Sequence, residues 1–112
     1  LVKTEFIPER GDFVWINFNP QAGHEQAGKR PALVLSPREY NEKTKLMIAC
    51  PITSNVKGYP FEVTVKGKHI DGVVLSDQVK NLDWRVRRVS FIETASETVL
   101  NEVQYKLGLL IG

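Results

Sequence analysis

Nine consecutive residues, Gly23-His24-Glu25-Gln26-Ala27-Gly28-Lys29-Arg30-Pro31, collect an acid, an imidazole, an amide, two cations and two glycines shortly after a strand-like run. These groups suit a phosphodiester: cations for its oxygens, a carboxylate or imidazole for a proton. The glycines let the backbone close around a ligand, and Pro31 stiffens the exit into the next strand. Two more polar groups stand at the edges of apolar runs. Thr53-Ser54-Asn55 follows Ile48-Ala49-Cys50-Pro51-Ile52 and leads into Lys57-Gly58-Tyr59-Pro60, while Ser76-Asp77-Gln78 continues the run that begins Val73-Val74-Leu75. Taken singly, each of these reads as a capped turn or a solvated strand face.

The elements that must position these groups are mostly strands. Phe13 to Phe18, Ala32 to Ser36, Leu46 to Ile52, Phe61 to Val65, Val73 to Val79 and Val86 to Ile92 are short, rich in β-branched and aromatic residues, and separated by turn chemistry. Phe61-Glu62-Val63-Thr64-Val65 alternates apolar and polar residues, which predicts a half-buried strand with Glu62 and Thr64 outward. Pro51 and Pro60 cannot donate to a ladder and should mark strand ends, bulges or an edge. Pro37 to Asn41 reads as a short helical turn. Val99, Leu100, Val103, Leu107 and Leu110 recur at helical spacing, predicting one amphipathic helix from about Ser96 to Leu110 with Thr94 and Glu97 as a capping box. Short strands closed by one helix predict a mainly β fold, a small, partly open antiparallel barrel, in a single domain over residues 1–112.

Several classes of function are set aside. His24, Cys50, His69 and Asp71 are too scattered for a structural metal site, which needs four ligands at recognisable spacing. There is no phosphate-binding P-loop and no dinucleotide fingerprint, so neither a metal nor a cofactor is expected. Cys50 lies in an apolar run and reads as a buried small hydrophobe rather than a nucleophile. A lone cysteine forms no internal disulfide, which fits a reducing cytoplasm. No apolar run approaches the roughly 20 residues that cross a bilayer. Fifteen Lys and Arg against 13 Asp and Glu leave a net charge of +2, which permits an RNA or acidic-peptide partner without demanding one.

Gly11-Asp12, Asn19-Pro20, Glu25-Gln26-Ala27-Gly28-Lys29-Arg30-Pro31, Cys50-Pro51-Ile52-Thr53, Lys57-Gly58-Tyr59-Pro60-Phe61 and Asp71-Gly72-Val73-Val74-Leu75-Ser76-Asp77-Gln78-Val79 occur in this order along the chain. In sequence and order these segments resemble the MazF/PemK family of toxin endoribonucleases. The resemblance implies an SH3-like barrel, related to that of CcdB, with a C-terminal helix. It further implies a homodimer that cuts single-stranded mRNA at short motifs without a metal, and a cognate MazE-like antitoxin whose extended acidic segment blocks the RNA groove. The family's motif arginine and threonine match Arg30 and Thr53. Its motif glutamate and glutamine match Glu25 and Gln26, and Asp77 with Gln78 match a pair that faces the groove.

Cutting without a metal can use the RNA's 2′-hydroxyl as nucleophile, leaving a 2′,3′-cyclic phosphate and a 5′-hydroxyl. The planar fork of Arg30 suits the charge of the phosphorane, and Thr53 can donate to a non-bridging oxygen. An arginine with a pKa above about 12 is a poor base at neutral pH, so the proton acceptor is Glu25 or His24, both still open. Asn17, Lys57, Tyr59, Lys80 and Arg85 are candidate groove residues beside His24 and Gln26, combining cations with hydrogen-bonding and stacking groups. Trp15 and Trp84 could stack bases but read better as packing residues. A CcdB-like gyrase-binding toxin and a catalytically inactive RNA-binding relative are the alternatives. The first gives no purpose to Glu25 through Arg30, and the second none to an intact set of Glu25, Arg30 and Thr53.

Overall fold

The computed structural model describes residues 5–17 and 28–112. The elements run β1 (Asp12–Asn17), β2 (Lys29–Val34), α1 (Arg38–Thr44), β3 (Leu46–Thr53), β4 (Glu62–Lys66), β5 (Asp71–Leu75), a 3-10 turn (Ser76–Gln78), β6 (Lys80–Asp83), β7 (Ser90–Thr94) and α2 (Glu97–Ile111). Among the described residues the strands form one curled antiparallel sheet in the order β4-β5-β3-β2-β1-β7, with β6 also paired to β3. This is the mainly β, partly open barrel with a C-terminal helix that the strand spacing implies.

Alternation along β1, β2 and β3 buries both faces of the central sheet. Phe13, Leu33, Cys50 and Ile52 point to one side, where Val63, Val65 and Val74 meet them and α2 lowers Val103 onto the layer. Val14, Ile16, Ala32, Val34, Met47 and Ala49 point to the other and pack on Trp84. Strands buried on both faces read as near-continuous apolar runs, as these do. Helix α2 is capped by Ser96, whose hydroxyl accepts the Val99 amide at 3.2 Å, rather than by a box built on Thr94, which ends β7. Its inner face carries Val99, Leu100, Val103 and Leu107 as the periodicity predicts, but Leu110 is exposed.

Three predicted strands shift. The second begins earlier, at Lys29, because its polar start pairs with Asn17 and Ile16 of β1. The run expected from Val73 to Val79 stops at Leu75, loops out Ser76–Gln78 and resumes as β6, which the sequence reading missed. The stretch expected as a strand from Val86 becomes turns through Arg88, and β7 starts only at Ser90. Here Asp83 accepts the amides of Arg85 and Val86 at 3.0 Å each, a local side-chain bond that competes with a ladder. Pro51 lies within β3, opposite Ala32, where the strand passes from its β6 partner to its β5 partner.

Trp84 is a core residue, 3% exposed, and its Nε1 donates to the Asn41 carbonyl at 2.8 Å. Asn41, fully buried on α1, ties this region together. Its Nδ2 donates to the carbonyls of Pro8 (2.8 Å) and Ser36 (3.1 Å), and its Oδ1 accepts from Ser36 Oγ at 2.6 Å. Replacing Asn41 by Ala strands two buried carbonyls and a hydroxyl, so Asn41→Ala should lower unfolding stability by about 2–4 kcal/mol in urea titrations.

Candidate active site

Arg30 and Thr53 are 23 residues apart in sequence and come together through strand register. Ala32 stands opposite Pro51 in the β2–β3 ladder, and extending that antiparallel register by two places sets Arg30 beside Thr53. Alternation gives both side chains the same face, the one that buries Ala32 and Ala49 further along. Both line a cavity of about 400 Å³ with Lys29, Ser54, Asp71 and Gln78. A second cavity, of about 230 Å³, is walled by Asn55, Lys57, Tyr59, Phe61, Glu62 and Asp77, and shares Thr53, Leu75 and Gln78 with the first. The two form one groove with Thr53 at its middle.

Local structure fixes the Thr53 hydroxyl. Its Oγ1 accepts the Asn55 amide at 3.1 Å, which fixes the hydroxyl and leaves its own proton to give. The backbone of Thr53 is held by β5, where Val73 is its ladder partner. At Gly72 the two strands press so closely that a Cβ would lie 2.4 Å from the Thr53 carbonyl oxygen. Only glycine permits that approach. Beyond Thr53, Asp77 and Gln78 project from the 3-10 turn, which is anchored by Ser76: its Oγ donates to the Phe61 carbonyl. Tyr59 is half exposed and tilts against Phe61, ring centroids 5.4 Å apart, presenting an aromatic surface at the groove wall.

Of the residues singled out from the sequence, Arg30, Thr53, Lys57, Tyr59, Asp77 and Gln78 share this groove. His24, Glu25 and Gln26 lie outside the described residues. Asn17 is buried at the end of β1 opposite Lys29, with its amide on the Arg87 carbonyl. Lys80 sits on β6 opposite Ala49, by a small cleft under the sheet rather than in the groove. Arg85 follows β6 near the Leu46 end of β3, remote from Thr53, with its guanidinium 3.5 Å from Glu5. Trp15 is partly exposed on β1.

Two residues that shape the site escaped the sequence reading. Glu62 was assigned to solvent by alternation, but it is only 9% exposed and lines the groove. Gly72 gave no signal beyond its place in a motif. Cys50, under the site, is no nucleophile: burial, reinforced by the nearby Asp77 charge, pushes its thiol up to about 12.

Residues 9–111 match the family of PemK-like, MazF-like toxins of type II toxin–antitoxin systems. The chain belongs to that family. Among relatives of this toxin chain, the endoribonuclease toxin MazF of Escherichia coli K12 is 45% identical over 109 residues, covering 97% of this chain and 98% of that protein. The endoribonuclease PemK of Escherichia coli is 33% identical over 99% of this chain and 87% of its own. Among solved structures, MazF in a MazE-MazF crystal from Deinococcus radiodurans superposes with a TM-score of 0.87 at 50% identity, covering 96% of this chain and 98% of the other. An endoribonuclease from a mycobacterial species, at 17% identity over 98% of this chain and 96% of the other, shares the fold with a TM-score of 0.77.

The toxin's site geometry has two measurable consequences. Gly72→Ala forces a methyl group into the Thr53 carbonyl and should cost roughly 2–4 kcal/mol in urea unfolding. Cys50 should resist Ellman's reagent at pH 8 in the folded protein and react at once in concentrated denaturant.

Proposed function

We infer that this chain is an endoribonuclease toxin that cuts single-stranded mRNA in the cytoplasm, without a metal, and is neutralised by a MazE-like antitoxin. The observation that carries the reading is the single cavity lined by both Arg30 of β2 and Thr53 of β3, in a chain whose family and endoribonuclease relatives are established. The exposed Leu109, Leu110 and Ile111 of α2 are apolar surface that pairing of two copies would cover, which favours a homodimer.

In the reaction the RNA's 2′-oxygen attacks the adjacent phosphorus, and the bond from phosphorus to the 5′-oxygen breaks. The products are a 2′,3′-cyclic phosphate and a 5′-hydroxyl. As attack proceeds, charge builds on the non-bridging oxygens. Arg30 meets it with two parallel N–H donors, and Thr53 adds its hydroxyl proton. These donors sit at fixed strand positions, so no reorganisation is needed when the charge appears. Glu25 or His24 takes the 2′ proton, and the 5′-oxygen leaves with a proton drawn from water. The remaining groove holds the flanking nucleotides: Lys57 near phosphates, Tyr59 under a base, Asp77 and Gln78 on base edges. An acidic antitoxin segment would meet the same cations.

Incubation with a long unstructured RNA in EDTA should give cuts at one short motif ending in cyclic phosphate. A 2′-deoxy substitution at the cut site should abolish them. Arg30→Ala should lower the cutting rate by at least about a hundredfold, the scale of losing one transition-state charge donor, with the melting temperature retained. Wild-type-like cutting by Arg30→Ala would overturn the assignment.

A further inference from the structure

We propose that Glu62 is a positioning residue of the groove, whose carboxylate sets the wall carrying Lys57 and Tyr59 and thereby governs how RNA is gripped. The inference rests on the RNA-cleaving reading above. A carboxylate is an unfavourable lining for a groove that takes a polyanion, and burying one is costly unless it is fully hydrogen-bonded. Glu62 meets that condition through the loop itself. Its Oε1 accepts the Gly58 amide at 3.0 Å and its Oε2 the Lys57 amide at 3.2 Å.

The remaining bonds turn this contact into a clamp. The Glu62 amide donates to the Tyr59 carbonyl at 3.1 Å, so residues 57–62 close into a turn fastened at both its side chain and its backbone. Gly58 takes a positive φ of 81° there, a conformation that glycine adopts freely. From the other side, Lys106 of α2 donates its Nζ to the Glu62 carbonyl at 2.9 Å while paired with Glu102 at 3.2 Å. The groove wall is therefore tied to the C-terminal helix through one residue. Both carboxylate oxygens are thereby occupied by peptide N–H groups of the loop whose Lys57 and Tyr59 line the groove.

Glu62 touches no reacting atom in this arrangement, so its loss should weaken binding and leave the chemical step alone. The isosteric Glu62→Gln keeps one acceptor oxygen and turns an NH2 group onto the second amide, where donor faces donor. On an RNA oligonucleotide with a single cut site, antitoxin-free Glu62→Gln should raise KM about tenfold with kcat within about threefold of wild type. On long RNA it should also relax the preference for nucleotides beside the cut. An unchanged KM and motif, whatever the melting temperature, would overturn the proposal, and so would a lowered kcat at unchanged KM. Should Glu62→Gln fail to fold, Lys106→Met decides: a KM rise of about threefold at constant kcat supports the clamp, and an unchanged KM overturns it. Absence of cutting by the wild-type chain would instead defeat the cleavage reading, and this inference with it.

Discussion

Strand β3 serves two partners along one edge, and the site follows from that constraint. Its first half pairs with β6, from Leu46 opposite Asp83 to Ala49 opposite Lys80, and its end pairs with β5, Ile52 opposite Val74. Between Val74 and Lys80 the chain advances six residues while β3 retreats only three, so three residues must leave the ladder. They are Ser76, Asp77 and Gln78, the 3-10 turn. A segment otherwise continuous along β3 is thus interrupted at the level of the groove, where its polar side chains are turned out beside Thr53. The excursion is held by Ser76, fully buried, on the Phe61 carbonyl.

The same strand fixes the other half of the site. Arg30 needs no contact of its own to find Thr53, because β2 and β3 are locked in register by Leu33 opposite Cys50 and Val34 opposite Ala49 in the buried sheet. A one-residue slip would turn every apolar side chain of β2 to the wrong layer, so the core enforces the register that sets Arg30 and Thr53 at one cavity. Thr53 in turn is pinned by the close approach of Gly72. Arg30 and Thr53 thus stand on neighbouring strands, while Lys57 and Tyr59 reach the groove from the loop that precedes β4.

Acidic groups in and around the groove are accommodated in different ways. Glu62 has its two oxygens committed to amides. Asp77 stays exposed on its turn, where solvent screens it. Its charge still reaches the interior far enough to help hold the Cys50 thiol neutral. The cations Lys29, Arg30 and Lys57 are exposed.

The barrel, the C-terminal helix and the participation of Arg30, Thr53, Lys57, Tyr59, Asp77 and Gln78 in one groove were legible in the sequence, because they depend on local apolar runs and on motif order. The strand reading failed where a tertiary partner overrode a local pattern. Alternation placed Glu62 in water, but the turn at residues 57–59 folds back over it and supplies the hydrogen bonds that make burial affordable. β-branched residues promised a strand from Val86, but Asp83 captured the amides that such a strand would have used. Arg85 and Lys80 were expected beside the groove, and register sets Arg85 past the Leu46 end of β3 and Lys80 opposite Ala49. The sequence by itself determined which side chains are apolar, which can carry charge, and where the chain can turn. Only the tertiary structure decided which of them meet, because meeting is set by register and by a three-residue excursion that no local periodicity encodes.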